Sequence, residues 1–233
     1  MILCIETATR VCSVALCDRN GIVAYRESTE GRSHASDLTP FIAELLKECS
    51  VKASDLEAVA VSKGPGSYTG LRIGVSTAKG LAFAAGIQLV AVNTLSSLCH
   101  GALEQNLGAE RGEELLYVPM LDARRMEVYS AIFRKDGTML RETMAEVITE
   151  DSFAEILKTN EVVFFGDGAA KCMGVISSPK ATFYPDFNVS ARYMHKPSVK
   201  AVSDGKFEDV AYFEPFYLKE FIATTPSRKI PGL

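Results

Sequence analysis

Two related α/β lobes, the second reduced, are predicted by three features of the sequence. The first ~100 residues read as βββαβαβα, much of that order returns in the second half, and a glycine pair follows the fourth strand of each half. The β-rich runs at 2–5, 11–17 and 22–25 give three strands, the last two joined through Asp18-Arg19-Asn20-Gly21. Over 33–49 the apolar residues Leu38, Phe41, Ile42, Leu45, Leu46 and Cys49 recur at three- and four-residue steps. That spacing predicts an amphipathic helix, with Pro40 in its first turn or at a kink. A strand over 58–62, the turn Gly64-Pro65-Gly66, a helix over 69–85, a strand over 88–92 and a helix opened by Thr94 complete the unit.

The second half predicts strands at 115–121, 126–133 and 138–147, then a helix over 151–158 with Thr149 as its N-cap. A strand at 162–165, the turn Gly166-Asp167-Gly168, a helix to 176 and a strand at 181–184 follow. Gly108 and Gly112 interrupt the pattern between the halves. The expected division is therefore a first lobe at 1–105, a second at 106–220 and a tail at 221–233, where turn residues accompany Arg228 and Lys229.

Composition narrows the function. The chain has 233 residues and a formal net charge of −4, so no overall positive field draws it to a phosphate backbone; any contact with tRNA is expected to be indirect. No apolar run reaches the ~18 residues a spanning helix needs, and the opening MILCIETATR lacks a basic segment, which predicts a cytoplasmic protein without a membrane partner. The six cysteines form no C-x-x-C pair and lie mostly in apolar runs. His34, His100 and His195 are isolated in sequence, so no two imidazoles share a helical face, and no metal site is expected.

The densest chemical signal is the block from Lys63 to Arg72, Lys-Gly-Pro-Gly-Ser-Tyr-Thr-Gly-Leu-Arg, which joins a buried strand to a helix. Glycines and unpaired amides at a helix start suit an anion such as a nucleotide phosphate. Gly64, Gly66, Ser67 and Thr69, with Gly166 and Gly168 of the second turn, are the candidate binders; the alternative is a tight structural turn. The spacing is neither that of a P-loop nor G-x-G-x-x-G. Glu6 and Asp122, each at a strand end, are candidate carboxylates for a metal or a water, against roles in capping turns or pairing with Arg124 or Arg125. No Ser-His-Asp or Cys-His set can be assembled, and Ser67 lacks a G-x-S-x-G setting.

The helix over 69–85 carries Gly70, Gly74, Ala78 and Ala82 at four-residue steps, and between Leu71 and Ala85 its charges are Arg72 and Lys79 alone. A helix apolar nearly all round must be covered on several sides. The cover comes from a partner chain or from the second lobe. With a partner, the surface comprises Leu38, Phe41, Ile42 and Leu45 of the first helix and Gly74, Thr77, Ala78 and Leu81 of the second, and the chain alone is expected to form a homodimer through it.

Ile5-Glu6-Thr7-Ala8-Thr9 with Cys12-Ser13-Val14-Ala15-Leu16, the block Gly64 to Gly74, Leu121-Asp122-Ala123-Arg124 with Glu127-Val128-Tyr129, and Pro215-Phe216-Tyr217-Leu218 together resemble the TsaB (YeaZ) family. The resemblance runs from the first strand to about residue 220. It implies two ribonuclease-H-like lobes of the actin, sugar-kinase and Hsp70 type, and a part in forming threonylcarbamoyladenosine beside the tRNA anticodon. It further implies a non-catalytic subunit that pairs with a TsaD transferase through a four-helix bundle, the TsaE ATPase joining the assembly. The resemblance assigns the chain no catalytic residue and no cofactor of its own; ATP or ADP, if bound, would draw on the partner at an interface. Relatives often carry Asp where this chain has Glu6. The rival from residue chemistry is an ATP-dependent phosphotransferase or ATPase using both glycine turns, Glu6 and Asp122.

Overall fold

The computed structural model describes residues 1–29, 34–112 and 114–218. Ser33 and the predicted tail 221–233 lie outside them. In chain order the elements are β1 (Ile2–Glu6), β2 (Cys12–Cys17), β3 (Ile22–Ser28), α1 (His34–Glu48), β4 (Ala58–Gly64), α2 (Tyr68–Ala85), β5 (Gln88–Asn93) and α3 (Thr94–Glu104). The second half continues with β6 (Leu116–Asp122), β7 (Glu127–Arg134), β8 (Met139–Val147), α4 (Ala154–Thr159), β9 (Val162–Phe165), β10 (Ala181–Tyr184) and α5 (His195–Ser203).

The strands form two five-stranded sheets, ordered β3-β2-β1-β4-β5 and β8-β7-β6-β9-β10. In each, the first strand pairs antiparallel with the second and parallel with the fourth. The halves therefore share one topology, and the doubled actin-like order expected from the sequence is present.

Alternation along the strands divides the first sheet's residues between two cores. Leu3, Ile5, Val59 and Val61 pack beneath α1 and α2, with Leu38, Leu45, Val75 and Ala78. Ile2, Cys4, Ala58 and Ala60 face the other way, against Ala191, Met194 and residues of α5. With both faces covered, β1 and β2 are buried along their whole length, which is why they read as apolar runs rather than alternating ones.

Three predicted features are corrected. First, α3, assigned to the first lobe, packs Leu95, Leu98, Cys99 and Ala102 among Tyr117, Phe133 and Phe165 of the second sheet. The chain from Ala191 to residue 218, assigned to the second lobe, returns to the first. There α5 lies on β5 and β1, the Glu208 amide donates to Leu89 O at 2.9 Å, and the Phe216 amide donates to Lys63 O at 2.7 Å. The lobes thus exchange their last helices, and no cut at 105 separates them.

Second, the helix predicted to run to 176 is a single 3₁₀ turn, Ala170–Cys172. The Cys172 and Val175 amides bond back three residues, to Ala169 and Cys172, and Gly174 and Ser177-Ser178-Pro179 favour no continuation. Third, α4 starts at Ala154 rather than 151. Phe153 takes a left-handed φ of 63° and packs edge-on against Phe164, while Thr149 joins a turn in which its amide donates to Ser152 Oγ at 2.9 Å.

Ala78 is fully buried in the first lobe's own core. Ala78→Glu should therefore destabilise the isolated chain rather than spare it, since an unpaired buried charge costs about 3–5 kcal/mol. A melting temperature lower by about 10 °C is expected by differential scanning fluorimetry; an unchanged melt would place Ala78 at the surface.

Candidate functional site

The glycine block meets the turn that follows β1. A Cβ on Gly66 would lie 2.4 Å from Ala8 O, one on Gly70 would lie 2.1 Å from Thr7 O, and one on Gly74 would lie 2.2 Å from Thr7 Oγ1. The turn is then tied down by hydrogen bonds. Ser67 N donates to Ala8 O at 2.6 Å, Thr7 Oγ1 donates to Gly70 O at 2.8 Å, and His34 Nε2 lies 2.7 Å from Thr9 O. The starts of α1 and α2 are thereby held to a single turn of four residues.

This packing accounts for the glycines without a ligand. Ser67 caps α2, its Oγ accepting from Gly70 N at 3.3 Å, so the Ser67 and Gly70 amides are already committed. Gly64 sits against Phe216 O of the returning C-terminal segment, while Thr69 is exposed at the helix start. The second turn repeats the device. A Cβ on Gly166 would lie 2.3 Å from Met120 O, and the Gly168 amide donates to that same oxygen at 3.1 Å.

The candidate carboxylates have separate fates. Glu6 is fully buried; its Oε1 accepts from Ala8 N at 2.7 Å, and Oε2 is buried without a partner. Burial pushes its pKa up to about 7, against the relief given by the Ala8 amide. Asp122 is half-exposed and pairs with Lys171 Nζ, while its Oδ1 accepts from Arg124 N at 2.9 Å. Its own amide donates to Asp167 Oδ1 at 3.0 Å, and burial raises the Asp167 carboxyl above its ordinary value. Asp122 thus caps its turn, as one of the two sequence readings had it, with Lys171 rather than an arginine as its ion-pair partner. His195 Nε2 lies 2.9 Å from Asp18 O, far in the fold from His34. Among the described residues no three His, Cys, Asp or Glu side chains group as a metal site would require.

Of the residues predicted to face a partner, Leu38, Ile42, Leu45, Gly74 and Ala78 point inward, and Phe41, Thr77 and Leu81 are half-buried. The small-residue stripe of α2 serves contact with Thr7 and the sheet, so the outward face lies around the helix from it. That face presents Ser76, Gly80, Ala84 and Phe83, the last 83% exposed, and no atom lies within 4 Å of a Cβ built on Gly80. Across from it α1 exposes Ala35, Thr39 and Ala43. Between them runs an open groove of about 400 Å³ lined by His34, Leu38, Thr39, Arg72, Ile73 and Ser76, among others.

Of the two covers expected from sequence, it is the second half of this chain that lies on the far flank of α2. The chain's own segment 205–218 crosses it, Lys79 Nζ donating to Ala211 O at 3.2 Å and Phe213 O at 2.9 Å, and Tyr217 packing on Tyr68 at 5.0 Å. The clue in the sequence was the run of apolar and aromatic residues late in the chain, Val210 to Tyr217, far from any predicted strand or helix.

The raised Glu6 pKa has a definite sign. The folded chain binds this proton more tightly than the unfolded chain, so the Glu6 contribution is most favourable below its ordinary 4.5. It is lost progressively as pH rises to about 7 and is constant above that. Glu6→Gln should be more stable than the parent at pH 8, by at most about 3 kcal/mol, with the difference shrinking toward pH 5. Urea unfolding at both pH values measures it, and equal differences at the two would show that Glu6 titrates normally.

Three comparisons bear on this arrangement. A family model described as TsaD, tRNA N6-adenosine threonylcarbamoyltransferase, matches residues 27–205. The tRNA threonylcarbamoyladenosine biosynthesis protein TsaB of Escherichia coli is 31% identical over 99% of this chain and 98% of its own length, and that of Bacillus subtilis is 32% identical over 71% and 70%. Among solved structures, YeaZ from Pseudomonas aeruginosa superposes with a TM-score of 0.78 at 28% identity, covering 93% of this chain and 99% of its own. Matched along nearly its whole length in sequence and in fold, the chain belongs to the TsaB (YeaZ) family and carries a domain of the TsaD type.

Proposed function

We propose that this chain is a non-catalytic subunit in the formation of threonylcarbamoyladenosine in tRNA, docking on a TsaD-type transferase through the outward face of α1 and α2. A role in that biosynthesis is supported by the names of the relatives and by the TsaD-type model. The observation that carries the docking reading is the outward surface itself. Ala35 and Thr39 of α1 and Ser76 of α2 line an open groove, and the small exposed residues Ala43, Gly80 and Ala84 lie further along the same two helices, a surface that lets two further helices approach closely. Phe83 adds an exposed aromatic anchor beside them.

The reading of the chain as non-catalytic rests on the state of its carboxylates, with Glu6 enclosed in the protein and Asp122 neutralised by Lys171. A net charge of −4 agrees with tRNA being gripped mainly by the other subunits. In this reading TsaE joins the assembly, any ATP or ADP sits where subunits meet, and without its partner the chain pairs with itself through the same face, in the cytoplasm. Among the described residues no helix is long and apolar enough to cross a membrane.

The test is a modification assay in which each subunit is left out in turn, alongside co-purification with the transferase from the same cell. The chain should be required, and alone it should hydrolyse no ATP. Gly80→Glu should weaken the complex at least about tenfold by placing a charge in the contact. It should also leave the isolated chain at least as stable, because replacing a mid-helix glycine gains roughly 1 kcal/mol of helix propensity. An unaltered complex, or turnover by the chain alone that fails in Glu6→Ala, overturns the proposal.

A further inference from the structure

The two large hydrophobic side chains most open to solvent among the described residues are both aromatic, Phe83 at 83% exposure and Tyr212 at 84%. They belong to different elements. Phe83 stands on α2, and Tyr212 stands in the segment that returns across the flank of that helix. The turn around Tyr212 is built locally. Asp209 Oδ1 accepts from Ala211 N at 2.7 Å and from Tyr212 N at 3.2 Å, and Phe213 N donates to Asp209 O at 2.8 Å. Val210 and Phe213 pack against the first lobe's core, so this turn presents Ala211 and Tyr212 to the outside.

Lys79 pins the turn to α2, its Nζ donating to Ala211 O and Phe213 O, the carbonyls on either side of Tyr212. Phe83 follows Lys79 by one helical turn on the same side of α2, so both rings are displayed on one flank. Large exposed apolar patches are uncommon on a protein that acts alone. This one has an acidic surround. From 204 to 214 the chain carries Asp204, Glu208, Asp209 and Glu214 against the single base Lys206. Lys206 pairs with Asp204 at 3.3 Å, and the Lys79 ammonium is spent on the two carbonyls, so the other three acids set the sign of the flank.

We infer that the docking surface continues from the outward face of α1 and α2 onto this returning segment, where Phe83 and Tyr212 enter an apolar pocket of the transferase whose rim is basic. The inference rests on the docking reading above and adds a second contact off the helix pair, with its own chemistry. Continuity favours that occupant. Phe83 lies on α2 beside the exposed Gly80 and Ala84, so a partner seated on those small residues reaches the ring and then the turn that carries Tyr212. Charge favours it as well, because a protein that grips tRNA carries surplus Lys and Arg. Acids around the rings steer such a surface in and reject an acidic one. Rings buried at the centre of a charged rim are the setting in which a few side chains hold most of the association free energy.

The test measures binding of full-length variants to the transferase by surface plasmon resonance, with the melting temperature of each isolated variant taken alongside. Phe83→Ala and Tyr212→Ala should each weaken the complex at least about tenfold. The double variant should lose less than the product of the two, since both rings share one pocket. Glu214→Lys should slow association and flatten its dependence on salt, with dissociation nearly unchanged. Because the altered side chains are exposed, all should melt within about 2 °C of the parent. Gly80→Glu separates this inference from the reading beneath it. If that variant weakens the complex while Phe83→Ala and Tyr212→Ala do not, the helices dock and the second contact is overturned; if none of the three weakens it, both are. Loss of self-association in Tyr212→Ala with the transferase complex intact assigns the flank to a second copy. A lowered melting temperature with an intact complex assigns it to the chain's own fold, and either result overturns the inference.

Discussion

The contact between the backbone of α2 and the turn after β1 governs the rest of the first lobe. Thr7 and Ala8 occupy space that side chains on Gly66, Gly70 and Gly74 would fill, and hydrogen bonds from both directions lock the approach. Because the helix is pressed in along that line, its Leu71, Val75, Ala78 and Ala82 reach the sheet, and Ser76, Gly80 and Ala84 are turned outward. The rotation of α2 about its own axis therefore decides which residues are core and which are available for docking. The start of α1 is brought to the same place through His34 and Thr9.

The second constraint is the exchange of final helices. α3 keeps its hold on β4, Thr94 Oγ1 lying 2.7 Å from Ser62 Oγ, while its apolar side chains enter the core of the second sheet, and α5 covers the first sheet. They meet in a shared middle layer, where Gly101 of α3 abuts the ring of Tyr193 in the 3₁₀ turn just before α5, and Nε2 of Gln105, the residue after α3, donates to the Tyr193 hydroxyl at 2.8 Å. Each lobe's hydrophobic core is completed by chain from the other, so the halves stand as one unit.

Much of this was legible in the residues. Buried strands announced themselves as continuous apolar runs, Asn20-Gly21 marked the hairpin, and the glycine pairs identified the equivalent turns of the halves. What periodicity cannot convey is the direction a nearly all-apolar helix faces. In α2 apolar and small residues lie on every side, so the stripe of Gly70 to Ala82 looked equally suited to a partner, and the turn it meets sits about sixty residues earlier in the chain. The course of 204–218 was hidden for a similar reason, since a segment lacking regular structure shows no period, and its attachment through Lys79 and Lys63 is non-local. For the site, the carboxylates were found in sequence but not their burial, which depends on how the strands assemble.

The exchanged helices also bear on how such a chain could arise. Two separate copies of one half, each lending its last helix to the other's sheet, would already build this architecture as a symmetric swapped pair. In such a scheme the stretch between α3 and β6 is the covalent tether that joins the two swapped halves. The two halves are unequal within that scheme, since the second has a single 3₁₀ turn where the first has eighteen helical residues.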